Sequence, residues 1–179
     1  QMLRQLNWDG KLTTDGGDYL MMVEANLGVN KANCCVTRTI NQAVELTATR
    51  LQERLTVTYQ NDSPSLADQR PFWAGTYHNY LRLYLPRTTK LESITINSKP
   101  LQLTEVDQEK TNDFLIIGFL TQIDAGKTEQ VAINYSQPMP VTDGKYRLKV
   151  QKQSGTAADP YSLIFDSPTC STQQLSRNL

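Results

Sequence analysis

Arg54-Leu55-Thr56-Val57-Thr58-Tyr59-Gln60 is the stretch that decides the fold: Leu, Val and Tyr take every second position, and Arg, Thr, Thr and Gln take the positions between. Side chains of a strand point alternately to its two faces. One face of this segment therefore meets a core and the other stays polar. The same period returns in Tyr80 to Leu85, with Leu81, Leu83 and Leu85 in phase, and in Gln130 to Tyr135, with Val131, Ile133 and Tyr135 in phase. The Val, Ile and Thr content suits a pleated surface better than a helix.

Working outward, strands are expected at Tyr19–Ala25, Val36–Leu51, Leu91–Asn97, Leu101–Val106, Asp113–Thr121, Thr128–Tyr135, Tyr146–Gln151 and Tyr161–Phe165, with Leu51 to Glu53 turning the chain into Arg54–Gln60. The connections carry turn residues: Asp15-Gly16-Gly17-Asp18, Asn97-Ser98-Lys99-Pro100, Asp124-Ala125-Gly126 and Asp143-Gly144. About eight or nine strands at this spacing, almost without helix, predict an all-β fold: a two-layer antiparallel β-sandwich of immunoglobulin or fibronectin type. Residues 18–166 form that domain, 1–17 read as a connector or the remnant of an upstream domain, and 167–179 lose the alternation and read as a polar tail.

At 179 residues the chain can bury a core without staples. Its 18 Lys and Arg balance 18 Asp and Glu and are scattered, so the electrostatic footprint of a nucleic-acid binder is missing. The longest apolar run, Phe114 to Leu120, is too short to span a bilayer, so any membrane association would come through a segment outside this chain. Three cysteines, Cys34, Cys35 and Cys170, do not have the spacing of a zinc site. A candidate disulfide joins Cys170 to one of Cys34 and Cys35, because neighbours on a strand face opposite ways; buried thiols are the alternative.

Catalytic signatures fail one by one. Gly126-Lys127-Thr128 resembles the end of a phosphate-binding loop, but Thr121 stands where that loop needs glycine. His78 is the sole histidine, and there is no Gly-x-Ser-x-Gly elbow to go with it. Acid pairs such as Asp15 with Asp18 and Asp107 with Glu109 read as solvated turn residues. No catalytic residue, metal ligand or cofactor is assigned. The aromatic-rich end of the long Asn61–Gly75 loop supplies the one binding candidate: Phe72, Trp73, Tyr77 and His78 could stack on a sugar or anchor a protein partner, or else plug the open end of the sandwich. Lys145, Arg147 and Lys149 share one face of a strand, where they either touch anionic polymers or guard an edge against stray pairing.

Four strings carry a further signal, the second and fourth of them going beyond generic strand patterns: Asp18-Tyr19-Leu20-Met21-Met22-Val23-Glu24-Ala25-Asn26-Leu27-Gly28 with Asn30-Lys31, Asn79-Tyr80-Leu81-Arg82-Leu83-Tyr84-Leu85-Pro86, Gly126-Lys127-Thr128 leading to Ile133-Asn134-Tyr135, and Tyr146-Arg147-Leu148-Lys149-Val150-Gln151-Lys152-Gln153-Ser154-Gly155-Thr156. In order and spacing they resemble the bacterial domain of unknown function 4012 family. Cys34-Cys35 and Ser154 depart from that pattern. The resemblance implies the β-rich C-terminal part of a larger, extracytoplasmic cell-envelope protein and brings no functional residues with it. The expectation is therefore a non-catalytic structural or binding module that meets envelope glycan or a protein partner, with an accessory domain of an enzyme as the alternative; the oligomeric state is left open.

Overall fold

The computed structural model describes residues 12, 14, 16–64, 74–139, 145–168 and 170–179. They form twelve strands: β1 Asp18–Asn26, β2 Val36–Leu46, β3 Arg50–Asn61, β4 Tyr77–Pro86, β5 Lys90–Ile96, β6 Lys99–Leu101, β7 Asp107–Lys110, β8 Phe114–Ile123, β9 Thr128–Pro138, β10 Leu148–Gln151, β11 Pro160–Ser167 and β12 Cys170–Asn178. A five-stranded sheet runs β10-β1-β4-β8-β7, and a seven-stranded sheet runs β12-β11-β2-β3-β9-β5-β6.

The alternation sets the layers. In β3 the inner positions are Leu51, Glu53, Leu55, Val57 and Tyr59, each buried, and register carries the phase across the sheet: Leu55 aligns with Ile133 and with Gln42, Val57 with Val131 and with Ile40. The opposing layer supplies Leu81, Leu83, Ile117 and Phe119. Leu55, Val57, Leu81, Leu83, Val131 and Ile133 are all 0% exposed. Burial of each such side chain contributes about 1.5 to 3 kcal/mol. Leu148 and Val150, expected in the same core, are only half-buried, because β10 lies at the sheet edge with one neighbour.

The two-layer, nearly all-β architecture holds, with twelve strands among the described residues where eight or nine were expected, and three further details are corrected. The sheets are mixed: β10 runs parallel to β1 and β11 runs parallel to β2. The chain leaves β9 in one sheet, adds β10 to the far edge of the other, and returns to place β11 beside β2. Late strands thus land next to early ones in the same direction, which an up-and-down meander never produces. Next, the β2–β3 turn sits at residues 47–49, where the Thr47 amide donates to the Arg50 carbonyl at 2.9 Å, not at Leu51 to Glu53. Finally, the expected polar tail is β12, paired antiparallel with β11 from Ser167–Cys170 to Pro160–Asn178. Residues 172–178 are exposed, so neither face of β12 needs an apolar phase and the sequence shows none.

Two local devices keep the five-stranded sheet in shape. Gln153 continues the short β10 ladder with its side chain: the Glu24 amide donates to Gln153 Oε1 at 2.8 Å and Gln153 Nε2 donates to the Glu24 carbonyl at 3.2 Å. On the outer face the Tyr80 ring lies across Gly118, where a Cβ would stand 2.3 Å from the phenol oxygen. That phenol donates to Asp107 Oδ2 at 2.7 Å and ties β4 to the edge strand β7 across β8.

Candidate functional site

The polar residues that stand out in the structure occupy inward positions of core strands. The inner face of β1 reads Asp18, Leu20, Met22, Glu24; that of β2 reads Arg38, Ile40, Gln42; that of β3 reads Glu53, Leu55, Val57, Tyr59. Apolar centres with polar ends give two buried polar clusters, one at each end of the space between the sheets.

The first cluster is built on acids. Gln137 Nε2 donates to Asp18 Oδ1 at 2.7 Å and to Glu53 Oε1 at 2.8 Å, holding two carboxyls from opposite sheets around one amide. Gln42 Nε2 donates to Glu53 Oε2 at 2.9 Å, and Tyr161 donates to Gln42 Oε1 at 2.7 Å. The Tyr19 amide and the Tyr146 phenol donate to Asp18, and the Tyr146 ring stacks on Phe165 at 4.7 Å. Asp18 is 1% and Glu53 3% exposed. Burial, and then the charge of Asp18, push the Glu53 carboxyl up to about 8. Burial likewise raises Asp18, against the hydrogen bonds from Tyr146, Gln137, the Tyr19 amide and Glu53 that favour its charged form. One proton held between the two groups satisfies both, as for any pair of carboxyls too close to ionise together.

The second cluster is ionic. Arg38 pairs with Glu24 and donates through Nε to Asp159 Oδ1 at 3.0 Å. Tyr59 donates to Glu24 Oε1 at 2.7 Å and Tyr77 to Glu24 Oε2 at 3.2 Å. Burial works to lower the Arg38 pKa, but the two carboxylates outweigh it and the guanidinium is held more firmly charged than usual. A cavity of about 30 Å³ adjoins the cluster, lined by Leu20, Met22, Ile40, Val150 and Gln153 among others. That is room for a water molecule and not for a substrate.

Concavities of ligand size lie elsewhere, and one opens on the outer side of the seven-stranded sheet. It is an open groove of about 540 Å³ whose lining includes Glu45, Arg54, Glu92, Asn134, Ile164 and Asp166. Small-molecule and sugar sites commonly fall between about 300 and 1,000 Å³. Asn134 Nδ2 donates to Ser93 Oγ at 2.9 Å, which fixes the amide at the groove wall.

The sequence-predicted site does not assemble as one surface. Phe72 and Trp73 lie outside the described residues. Tyr77 and His78 are neighbours on β4 and therefore face opposite ways: Tyr77 is 3% exposed and bonded into the ionic cluster, while His78 is exposed on the outer side of the five-stranded sheet. Tyr77 offers no accessible ring face. The proposed link of Cys170 to Cys34 or Cys35 is also overturned. Cys170 pairs with Ser167, beyond Asp166, which aligns with Glu45 at the far end of β2. Cys35 stands just before the start of that strand, ten residues from Glu45 and so about 33 Å away at strand rise. Cys34 and Cys35 lie on a 3-10 turn at Ala32–Cys35, not on a strand, and their Sγ atoms meet at 2.8 Å instead of pointing apart.

The polar clusters and the groove were missed, although one signal for the clusters was in the chain: Glu53, Asp18 and Arg38 share the phase of buried leucines and isoleucine.

No family model and no curated protein matches the chain. Solved structures do. A protein described as nutrient-binding, from Legionella pneumophila subsp. pneumophila str. Philadelphia 1, aligns with TM-score 0.50 at 8% identity over 83% of this chain and 54% of that one. Leukotriene A4 hydrolase from Saccharomyces cerevisiae aligns with TM-score 0.45 at 6% identity over 84% and 28%, and an M1 zinc metallopeptidase from Deinococcus radiodurans with TM-score 0.40 at 8% identity over 80% and 38%. This chain spans about half the length of the first and less of the other two, and at 8% identity the likeness to the first is one of fold.

Proposed function

We propose that this chain is a non-catalytic binding module of a larger bacterial cell-envelope protein of the domain of unknown function 4012 type, facing outward, and that it engages envelope glycan through the outer side of its seven-stranded sheet. The observation that carries this reading is the division of polar chemistry in the molecule. The acids with strong environments are buried between the sheets as braces, whereas the open groove presents carboxylates, the amides of Gln52 and Asn134, a hydroxyl and one guanidinium. Such groups pair with sugar hydroxyls through directional hydrogen bonds. An accessory domain beside a catalytic domain keeps the same geometry and differs in what adjoins it; the complete gene product separates the two.

The test is retention on isolated cell-wall material. Arg54→Ala combined with Asn134→Ala should lower retention about tenfold while changing stability by less than about 1 kcal/mol, the range of surface substitutions. Unchanged retention of the double variant, or no retention of the parent chain, removes the groove as the binding surface. Retention that survives glycan digestion but not protease treatment of the wall material transfers the role to a protein partner.

A further inference from the structure

Cys34 and Cys35 belong to neither polar cluster and do not line the groove. They end the 3-10 turn Ala32–Cys35 that leads from β1 into β2. At three residues per turn, successive side chains diverge by about 120° instead of the 180° of a strand, so neighbours can serve one side of the chain. Here they do: the two Sγ atoms stand 2.8 Å apart, with Cys34 exposed and Cys35 half-buried. The backbone around them is anchored along its length. Asn26 Nδ2 donates to the Asn30 carbonyl at 2.9 Å, the Ala32 amide to Asn30 Oδ1 at 3.1 Å, the Cys34 amide to the Lys31 carbonyl at 3.1 Å and the Asp62 amide to the Cys35 carbonyl at 2.8 Å. Ala32 itself is buried in the core. Two thiols are thus held against each other by a turn whose shape is fixed by other contacts.

We infer that Cys34 and Cys35 are a reversible modification site, a dithiol that a low-molecular-weight disulfide such as oxidised glutathione converts to a vicinal disulfide. The Cys34 thiolate attacks one sulfur of the small disulfide, whose S–S bond breaks; one half leaves as a thiolate and the other stays on Cys34 as a mixed disulfide. The Cys35 thiolate then attacks Cys34 Sγ, the bond between the two cysteines forms, and the second small thiolate leaves. The two protons of the dithiol end on the departing thiols, and the two electrons that the protein loses reduce the small disulfide. Exposure makes Cys34 the point of entry, and contact makes Cys35 the resolving thiol. Cys170, beyond the far end of β2, is out of reach. The bridge is no staple: it encloses no intervening residue, so it constrains the unfolded chain little. Adjacent Cα atoms are about 3.8 Å apart, closer than the usual bridging range of about 4.4 to 6.8 Å, so such a bond reopens readily. This chemistry is independent of the glycan reading.

Peptide mass mapping after redox treatment of the folded chain tests the inference. Once the chain has been fully reduced, excess oxidised glutathione should leave the tryptic peptide 32–38 lighter by two hydrogens, closed to iodoacetamide and free of bound glutathione; excess reduced glutathione should then reopen it. Cys35→Ser should stop at the mixed disulfide and keep one glutathione on Cys34, because the resolving thiol is gone. Oxidised and reduced parent should melt within about 3 °C of each other, as expected when the bridge adds little to stability. Glutathione that stays on the parent's peptide 32–38 overturns the inference, as does a peptide that remains open to iodoacetamide, or a bridge that maps to Cys170 or to a second chain. A closed form that reduced glutathione does not reopen, or that melts well above the reduced one, would be a permanent staple and overturns it as well.

Discussion

At one end of the space between the sheets Arg38 stands between Glu24 and Asp159; at the other, Asp18 and Glu53 meet around Gln137, with phenols and amides for neighbours. Both arrangements join the layers, since Glu24 and Asp18 belong to the five-stranded sheet while Arg38 and Glu53 belong to the seven-stranded one. The first compensates buried charge with opposite charge. The second withholds the charge, keeping a proton where an ion would otherwise be stranded. The difference teaches that polar braces at equal depth need not share a response to pH, because what is buried in one case is an ion pair and in the other a neutral acid beside an ion.

The largest test of this contrast falls on the ionic end. Arg38→Met should cost about 3 to 5 kcal/mol in urea unfolding, because it leaves Glu24 and Asp159 buried without their cation. A loss below about 1 kcal/mol would mean that water already shares that end and that the two ends do not differ as described.

The acid end should show itself in the pH profile. Glu53 holds its proton up to about 8 in the folded protein against an ordinary 4.5. Between those values the folded chain binds a proton that the unfolded chain has released, so rising pH favours unfolding. The contribution is fully present below about 4.5 and lost as pH rises through about 8. Glu129, pushed up to about 7 by burial and by Asp124, acts in the same direction. Tm should therefore fall from pH 5 to pH 9, and Glu53→Gln should flatten much of that slope. A Tm that climbs over this range contradicts the shared proton.

The smallest effect compares single hydroxyls. Tyr59→Phe removes a donor to a carboxylate and should cost about 1.5 to 3 kcal/mol, whereas Tyr161→Phe removes a donor to the neutral Gln42 and should cost about 0.5 to 1.5 kcal/mol. Equal losses by thermal denaturation would erase the distinction between a charged and an uncharged brace.

The sandwich was legible wherever one face of a strand is buried, because there the alternation is enforced residue by residue, as in Leu55, Val57 and Tyr59. It was illegible where no face is buried. β7 is Asp-Gln-Glu-Lys with every residue exposed, and β12 is exposed throughout residues 172–178, so no buried apolar face marks either of them. The clusters were hidden by a boundary: reading Leu51 to Glu53 as a turn removed Glu53 from the phase of Leu55 and made it an ordinary surface acid. Tyr77 and His78 looked like one binding patch because sequence proximity is mistaken for shared orientation, which period two forbids.

The parallel pairings have a consequence for how the chain reaches this state. Asp18–Met21 waits for Leu148–Gln151, and Ile40–Glu45 waits for Tyr161–Asp166. During synthesis at about 5 to 20 residues per second, the leading strands spend several seconds as hairpins with raw flanks, and both braces lack members until Tyr146 and Asp159 emerge. Assembly then closes loops of more than a hundred residues in its final steps, the kind of topology that folds slowly. A ribosome stalled before residue 146 would hold a chain with most of its core sequence, with the acid brace short of Tyr146 and the ionic brace short of Asp159.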